Sequence, residues 1–217
     1  MTTQSETKKD LVVLVPDLDT ENAIRGLLAR NESFGIRPLR EYSDYEFQRA
    51  TNHDNGCRSA AEVLLAPALN RFKKALVIFD REGCGRDSAP RETIESDVQH
   101  RLETAGWKNR CAVIVIDPEL ESWVWSLSPL VSQIIGWGND REPLRNWMTK
   151  QGWIRFGSVK PDRPKEALKA VLNEVPRPWS ARLFMNLAQR VSLRGCVDPS
   201  FGKLRTVLCQ WFPRSPS

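Results

Sequence analysis

At 217 residues the chain is long enough to bury a substantial core, as one large domain or as one domain with an appendage. Its net charge of +5 hides an asymmetry: residues 1–140 carry 17 Lys and Arg against 22 Asp and Glu, and residues 141–217 carry 15 against 5, a split that fits either nucleic acid as a partner of the second half or basic surface helices that by themselves establish no partner. Five scattered cysteines without C-x-x-C spacing, a polar lead in place of a signal peptide and no apolar run of membrane-spanning length argue against a disulfide framework, secretion and membrane insertion, so a soluble cytoplasmic protein is expected.

In chain order, the aliphatic run Leu11–Val15 reads as a buried strand ending in Pro16, Asp17 and Asp19. Thr20 caps a predicted helix to about Arg30, with apolar positions at Ala23, Ile24, Leu27 and Leu28. A second strand is expected over Gly35–Tyr42, interrupted by Pro38. Thr51–Gly56 reads as a polar loop and Arg58–Phe72 as a helix with an irregularity at Pro67. The run Leu76–Phe79 is a third strand ending in Asp80, Arg81 and Glu82. A loop over Gly83–Ala89 leads to a helix opened by Pro90 and running to Ala105. The fourth strand, Val113–Ile116, ends in Asp117, Pro118, Glu119, Leu120 and Glu121.

Beyond Glu121 the pattern changes to helices separated by Pro and Gly, and seven of the eight tryptophans lie here. Pro164–Val175 places Ala167, Leu168, Val171 and Leu172 on one helical face, and Asp198-Pro199 is an N-cap and N1 pair for a helix through Trp211. Alternating strands and helices predict an α/β fold with a four-stranded parallel sheet, right-handed crossovers and a helical C-terminal appendage. The expected division is residues 1–126 for the α/β part and 127–217 for the basic, Trp-rich helical part. Trp123 and Trp125 read as core residues rather than base-stacking platforms.

Three apolar runs ending in carboxylates are the strongest functional signal. In a parallel sheet the carboxyl ends of the strands share one edge, where open α/β folds take their ligands. Crowded carboxylates repel unless a cation neutralises them, and Mg²⁺ or Mn²⁺ prefers oxygen donors. Asp17, Asp80 and Glu82 are therefore candidate metal ligands. Asp80 and Glu82, one residue apart in an extended segment, would project on the same face. Glu119 and Glu121 sit at a helix start, where the macrodipole stabilises acidic residues in any case. Glu121 is nevertheless a candidate ligand or general base beside the site.

Other chemistries lack support. There is no phosphate-binding loop of the G-x-x-x-x-G-K-[ST] or G-x-G-x-x-G kind, and two histidines, His53 and His100, are too few for a histidine zinc site. Cys84 among acidic neighbours is disfavoured as a thiolate.

The acidic first strand end followed by a D-x-D-like pair after the third strand resembles the TOPRIM fold of topoisomerases, primases and OLD-type nucleases. The segments Leu76–Gly85 (LVIFDREGCG), Val115–Trp125 (VIDPELESWVW) and Arg190–Phe212 are similar to a small bacterial family that accompanies methylation-associated anti-phage defence systems. TOPRIM enzymes hold Mg²⁺ with a glutamate after the first strand and the D-x-D aspartates, for strand cleavage or phosphoryl transfer. The resemblance places Asp17 at the first position and Asp80 and Glu82 at the second pair. Pro16-Asp17 stands where the pattern has Glu-Gly, and Glu82 where it has an aspartate.

The resemblance implies a cytoplasmic, TOPRIM-like component of an anti-phage system acting on nucleic-acid phosphodiesters, with other defence proteins as partners. Asp17, Asp80, Glu82 and Glu121 would hold the ion, Glu82 and Glu121 would serve catalysis, and Arg182, Arg190, Arg194, Lys203 and Arg205 would hold the backbone. The rival expectation is a non-catalytic sensor or adaptor that binds protein or nucleic acid. A third, a phospho-acceptor receiver domain, fits Asp17, Asp19 and Asp80 but lacks the lysine expected after a fifth strand.

Overall fold

The computed structural model describes residues 8–155, 157–175, 177–193, 196 and 198–214. The chain forms two compact units, each discontinuous in sequence: the first is Met1–Asp17 with Leu39–Val115, and the second is Leu18–Pro38 with Ile116–Ser217. The expected continuous boundary at residue 126 thus differs from the observed division, which passes Leu18–Pro38 to the second unit.

The first unit is built on a four-stranded, all-parallel sheet in the order β2-β1-β3-β4, with β1 at Lys9–Val15, β2 at Tyr45–Arg49, β3 at Phe72–Asp80 and β4 at Cys111–Ile116. β1 pairs with β2 from Leu11 opposite Tyr45 to Val15 opposite Arg49, and with β3 through Val13 opposite Leu76. The α/β parallel sheet predicted from the apolar runs is the one observed. Residues 75–79 of β3 are fully buried, as continuous apolar strands covered on both faces should be. Leu76, Val77, Ile78 and Phe79 each contribute roughly 1.5–3 kcal/mol of burial.

Two helices of this unit are α3 (His53–Leu64) and α4 (Arg91–Leu102). Together with the strands they enclose a core containing Val12, Leu14, Cys57, Phe79, Val98 and Trp107. Glu95 of α4 is a buried carboxylate whose Oε1 accepts the Val115 amide at 2.9 Å. It thereby satisfies a donor on β4, an edge strand with a neighbour on one side only.

Two local expectations are corrected. The second strand is Tyr45–Arg49, not Gly35–Tyr42, because Pro38 removes a ladder donor and the earlier segment makes only isolated bridges at Ile36 and Glu41. The stretch expected as a loop over Thr51–Gly56 already turns helical at His53, and that helix stops at Leu64. Pro67 then lies in a separate 3₁₀ turn, Ala66–Ala68, and β3 begins at Phe72. The helix opened by Pro90 runs as α4 to Leu102 and continues in a wider π-helical turn from Glu103, so that helical backbone reaches Ala105 as the sequence reads, and Gly106 at φ +102° ends it.

In the second unit, α1 (Leu18–Leu28), α2 (Asn31–Phe34), α5 (Pro129–Ile135), α6 (Leu144–Lys150), α7 (Pro164–Glu174), α8 (Ala181–Arg190) and α9 (Pro199–Trp211) are the helices among the described residues. α1 lies close along α8, because at Gly26 an added Cβ would stand 2.8 Å from both Ala188 Cβ and the Met185 carbonyl. The Arg30 guanidinium donates to the carbonyls of Ala188 and Val191, a cation on the last turn of α8 where the dipole favours it. Phe201 of α9 packs edge-on against Phe34 at 5.8 Å and Trp123 at 5.5 Å between ring centroids. The Asp198 and Pro199 start of α9 is as read from the sequence: Asp198 Oδ1 accepts the Ser200 and Phe201 amides.

Candidate functional site

The strand order 2-1-3-4 reverses direction between β1 and β3, the switch point at which open α/β sheets take ligands beyond the strand ends. β1 runs through the buried Val15 and Pro16 to Asp17, and its neighbour β3 terminates on Asp80. The turn Arg81–Cys84, closed by the Cys84 amide donating to the Arg81 carbonyl and by Gly83 at φ +83°, breaks the strand there.

A third carboxylate joins them from α3. Asp54 lies in the first turn of that helix, where the dipole stabilises negative charge, and its Oδ1 accepts the Asp80 backbone amide at 2.8 Å. Its Oδ2 lies 3.9 Å from where a Gly83 Cβ would be, so the turn after Asp80 runs alongside this carboxylate. One helical turn on from Asp54, the buried Cys57 thiol is pushed far up by burial and then by the charges of Asp54, Asp17 and Asp80. The three aspartates therefore act on one point, and Cys57 stays a protonated thiol, unsuited to nucleophilic attack or soft-metal ligation.

The structure thus brings Asp17 and Asp80 into one neighbourhood with Asp54, which sequence reasoning read as loop. The only signal for it was helical: Asp54, Cys57 and Arg58 recur at i, i+3 and i+4. Glu82 is exposed in the turn. Because β3 ends at Asp80, the strand alternation expected to align Asp80 with Glu82 does not continue to it. Asp117 follows β4, is exposed, and precedes a cis peptide to Pro118. Among the described residues, no group of three or more His, Cys, Asp or Glu side chains is placed to hold a metal ion.

Glu121 belongs to the second unit, in a 3₁₀ turn at Leu120–Trp123 rather than a longer helix. It is 3% exposed and its Oε2 is buried without a hydrogen-bond partner. Its carboxyl is pushed up to about 7 by burial; the Lys165 charge and its own backbone amide oppose this, while Glu119 and Asp19 add to it. Glu119, equally buried, accepts the Lys165 amide at 2.8 Å, with the Lys165 ammonium 3.8 Å away. Asp19 accepts the Trp179 indole N–H at 2.7 Å.

The expected backbone-binding residues lie in the same unit. Arg182 and Arg190 are exposed on α8, and on α9 Arg205 is exposed and Lys203 half-buried; Arg194 falls outside the described residues. Trp125 is buried, its indole donating to the Pro164 carbonyl, in keeping with a core role. Asp198 is a further buried carboxylate, raised by burial but lowered overall by the hydrogen bonds of Lys160 and Ser200, the Lys160 charge and the Phe201 amide. Its work is to hold α9, Lys160 at 2.8 Å and the Trp123 indole at 3.2 Å. No helix among the described residues is long and apolar enough to cross a membrane.

Comparison with protein-family models, with curated proteins and with solved structures finds no match to this chain. The class that fold and site define is an α/β protein with a parallel sheet and aspartates at its switch point.

Proposed function

We propose that this chain is a TOPRIM-like protein acting on nucleic-acid phosphodiesters with a Mg²⁺ or Mn²⁺ ion, as a component of a bacterial anti-phage defence system. The observation that carries the reading is the grouping of Asp17, Asp54 and Asp80 at the β1/β3 switch point. The donor chemistry suits the ion: the candidate ligands are hard carboxylate oxygens, and the one sulfur among them is held as a thiol. Mg²⁺ characteristically uses one or two carboxylates and completes its shell with water and substrate phosphate, so Asp17 and Asp80 suffice as a pair. When bound, the ion would polarise a phosphate oxygen and lower the pKa of a water.

The chain's own residues do the rest. Asp54 grips the Asp80 amide, fixing where the strand stops and where its side chain begins. The buried sheet beneath gives these positions a rigid base. The basic residues Arg182, Arg190, Lys203 and Arg205, with Arg194, would attract the polyanion. Glu82, in the adjoining turn, is a further ligand of this proposal, and Glu121, in the second unit, is not assigned to this ion. The anti-phage setting and its protein partners rest on the sequence resemblance.

The test is thermal unfolding with and without Mg²⁺ or Mn²⁺, beside cleavage and binding assays on DNA and RNA. Saturating ion at about a hundred times its Kd should stabilise the wild type by about 2.7 kcal/mol. Asp80→Asn should lose that stabilisation and the cleavage while retaining binding. An equal ion-induced shift in Asp80→Asn would remove the ion from this site. Wild type and mutant alike inactive on every nucleic acid, both still binding it, would establish the adaptor reading instead.

A further inference from the structure

We infer that the groove between α3 and α4 in the first unit binds the phosphate backbone of a nucleic acid, an inference that rests on the function proposed above and adds a binding surface to it. The groove encloses about 580 Å³ and is lined by three arginines, Arg58, Arg86 and Arg101, against one carboxylate, Asp97, with Ser59 and His100 among its other polar groups. It adjoins the carboxylate site directly, because Arg58 lies one helical turn beyond Asp54 and its Nε donates to the carbonyl of Cys84 in the turn that follows Asp80.

What distinguishes Arg58 is how it is held. Its Nε bonds a backbone carbonyl and its Nη2 the side-chain oxygen of Asn55 at 3.3 Å. Both acceptors are neutral, and among the described residues Arg58 forms no ion pair. A guanidinium fixed by neutral groups keeps its full charge and the rest of its planar fork for an anion, the geometry that suits phosphate. Gly85 keeps the approach open: at φ +81°, an added Cβ would stand 3.4 Å from Arg58 Nη2 and 3.3 Å from Asn55 Nδ2.

The other two arginines take different parts. Arg101 is committed to the frame, pairing with Glu62 at 2.6 Å and donating to the carbonyls of Ser59 and Arg58. It fixes the helix backbone that carries Arg58. Arg86 pairs with Asp97 across the open surface, each side chain roughly half exposed. Such a pair is worth about 0–1 kcal/mol, so a phosphate can take the place of Asp97. Arg58 and Arg86 are thus the two phosphate-facing cations, beside a site where a phosphodiester would be cut.

The experiment measures binding of the full chain to a short single-stranded DNA, its RNA counterpart and the duplex, over a salt series from about 50 to 200 mM. The proteins are wild type, Arg58→Gln, Arg58→Lys, the double Arg58→Gln/Arg86→Gln and, as a comparison, Arg182→Gln/Arg205→Gln. Melting curves confirm that each is folded; Gln can still donate to the Cys84 carbonyl, and Arg86 is a surface residue. Each lost phosphate contact should flatten the slope of log affinity against log salt by about 0.7–0.9, so the double variant should lose about twice that. Arg58→Lys should keep the wild-type slope.

Binding by the wild type with an unchanged slope in the double variant would overturn the groove while leaving the proposed function standing. No salt-dependent binding by the wild type at all would defeat the proposed function and the groove with it. Inorganic phosphate is the remaining arm: at millimolar concentration it should neither displace the nucleic acid nor raise the melting temperature. If it does both in the wild type and neither in Arg58→Gln, the groove is a free-phosphate site and the backbone assignment fails.

Discussion

Neutralising Glu121 should make the second unit more stable in alkaline solution and leave it nearly unchanged in acid. In the folded protein this carboxyl lies at about 7, against 4.5 for an ordinary glutamate, chiefly because it is buried, with the Lys165 charge opposing and Glu119 and Asp19 adding to the rise. A raised carboxyl means that the native state holds a proton the unfolded chain has released, throughout the window from about 4.5 to about 7. Stability must therefore fall as pH rises through that window. Each pH unit is worth about 1.4 kcal/mol, so the full loss is about 3 kcal/mol, complete above the folded value. Glu121→Gln keeps the shape of the protonated acid and has nothing to release. The two proteins should match near about pH 4, below the unfolded value, and the variant should be the more stable by up to about 3 kcal/mol near about pH 8. Urea unfolding followed by tryptophan fluorescence reads this unit, since every tryptophan except Trp107 lies within it. Other titrating groups cancel in the difference between the two proteins. A difference that stays constant from acid to alkaline pH would refute the reasoning, and so would a variant less stable than wild type near about pH 8.

Other perturbations read the rest of the structure. Glu95→Ala should cost about 1–3 kcal/mol, because it leaves the Val115 amide on the edge strand without its acceptor; a loss under about 0.5 kcal/mol in urea unfolding would contradict that role. Gly26→Ala should destabilise by about 1–3 kcal/mol through overpacking of α1 against α8, and a melting temperature equal to or above wild type would show that the helices yield. Cys57, buried and with its thiol pushed up by burial and three aspartates, should resist iodoacetamide in the native protein and react only on unfolding. Mass spectrometry of the alkylated protein checks this, and native labelling of Cys57 as fast as in urea would contradict the placement.

The strands β1, β3 and β4 were legible because strands buried on both faces must be apolar throughout, and three such runs stand out from the chain. The starts of α7 and α9 were legible for an equally local reason, Pro at the first helical position and, in α9, a capping aspartate. β2 was not, because an edge strand reading Tyr-Glu-Phe-Gln-Arg carries no apolar run and owes its place to pairing with β1. Asp54 escaped for a related reason: the first turn of α3 is polar and only partly buried, so its sequence looks like a loop until the helix is seen packed on the sheet.

By itself the sequence determined a parallel α/β sheet, the carboxylates that follow its strands and a basic second half, since burial period, turn chemistry and charge are carried by neighbouring residues. Only the tertiary structure decided which groups share a site. It ended β3 at Asp80 and left Glu82 in a turn, and it brought Asp54 to the Asp80 amide from 26 positions away along the chain. It also passed α1 to the second unit, where Gly26 meets Ala188 and Asp19 meets the Trp179 indole. These are long-range contacts, set by packing and by the cost of leaving buried polar groups unpaired, and no local pattern encodes them.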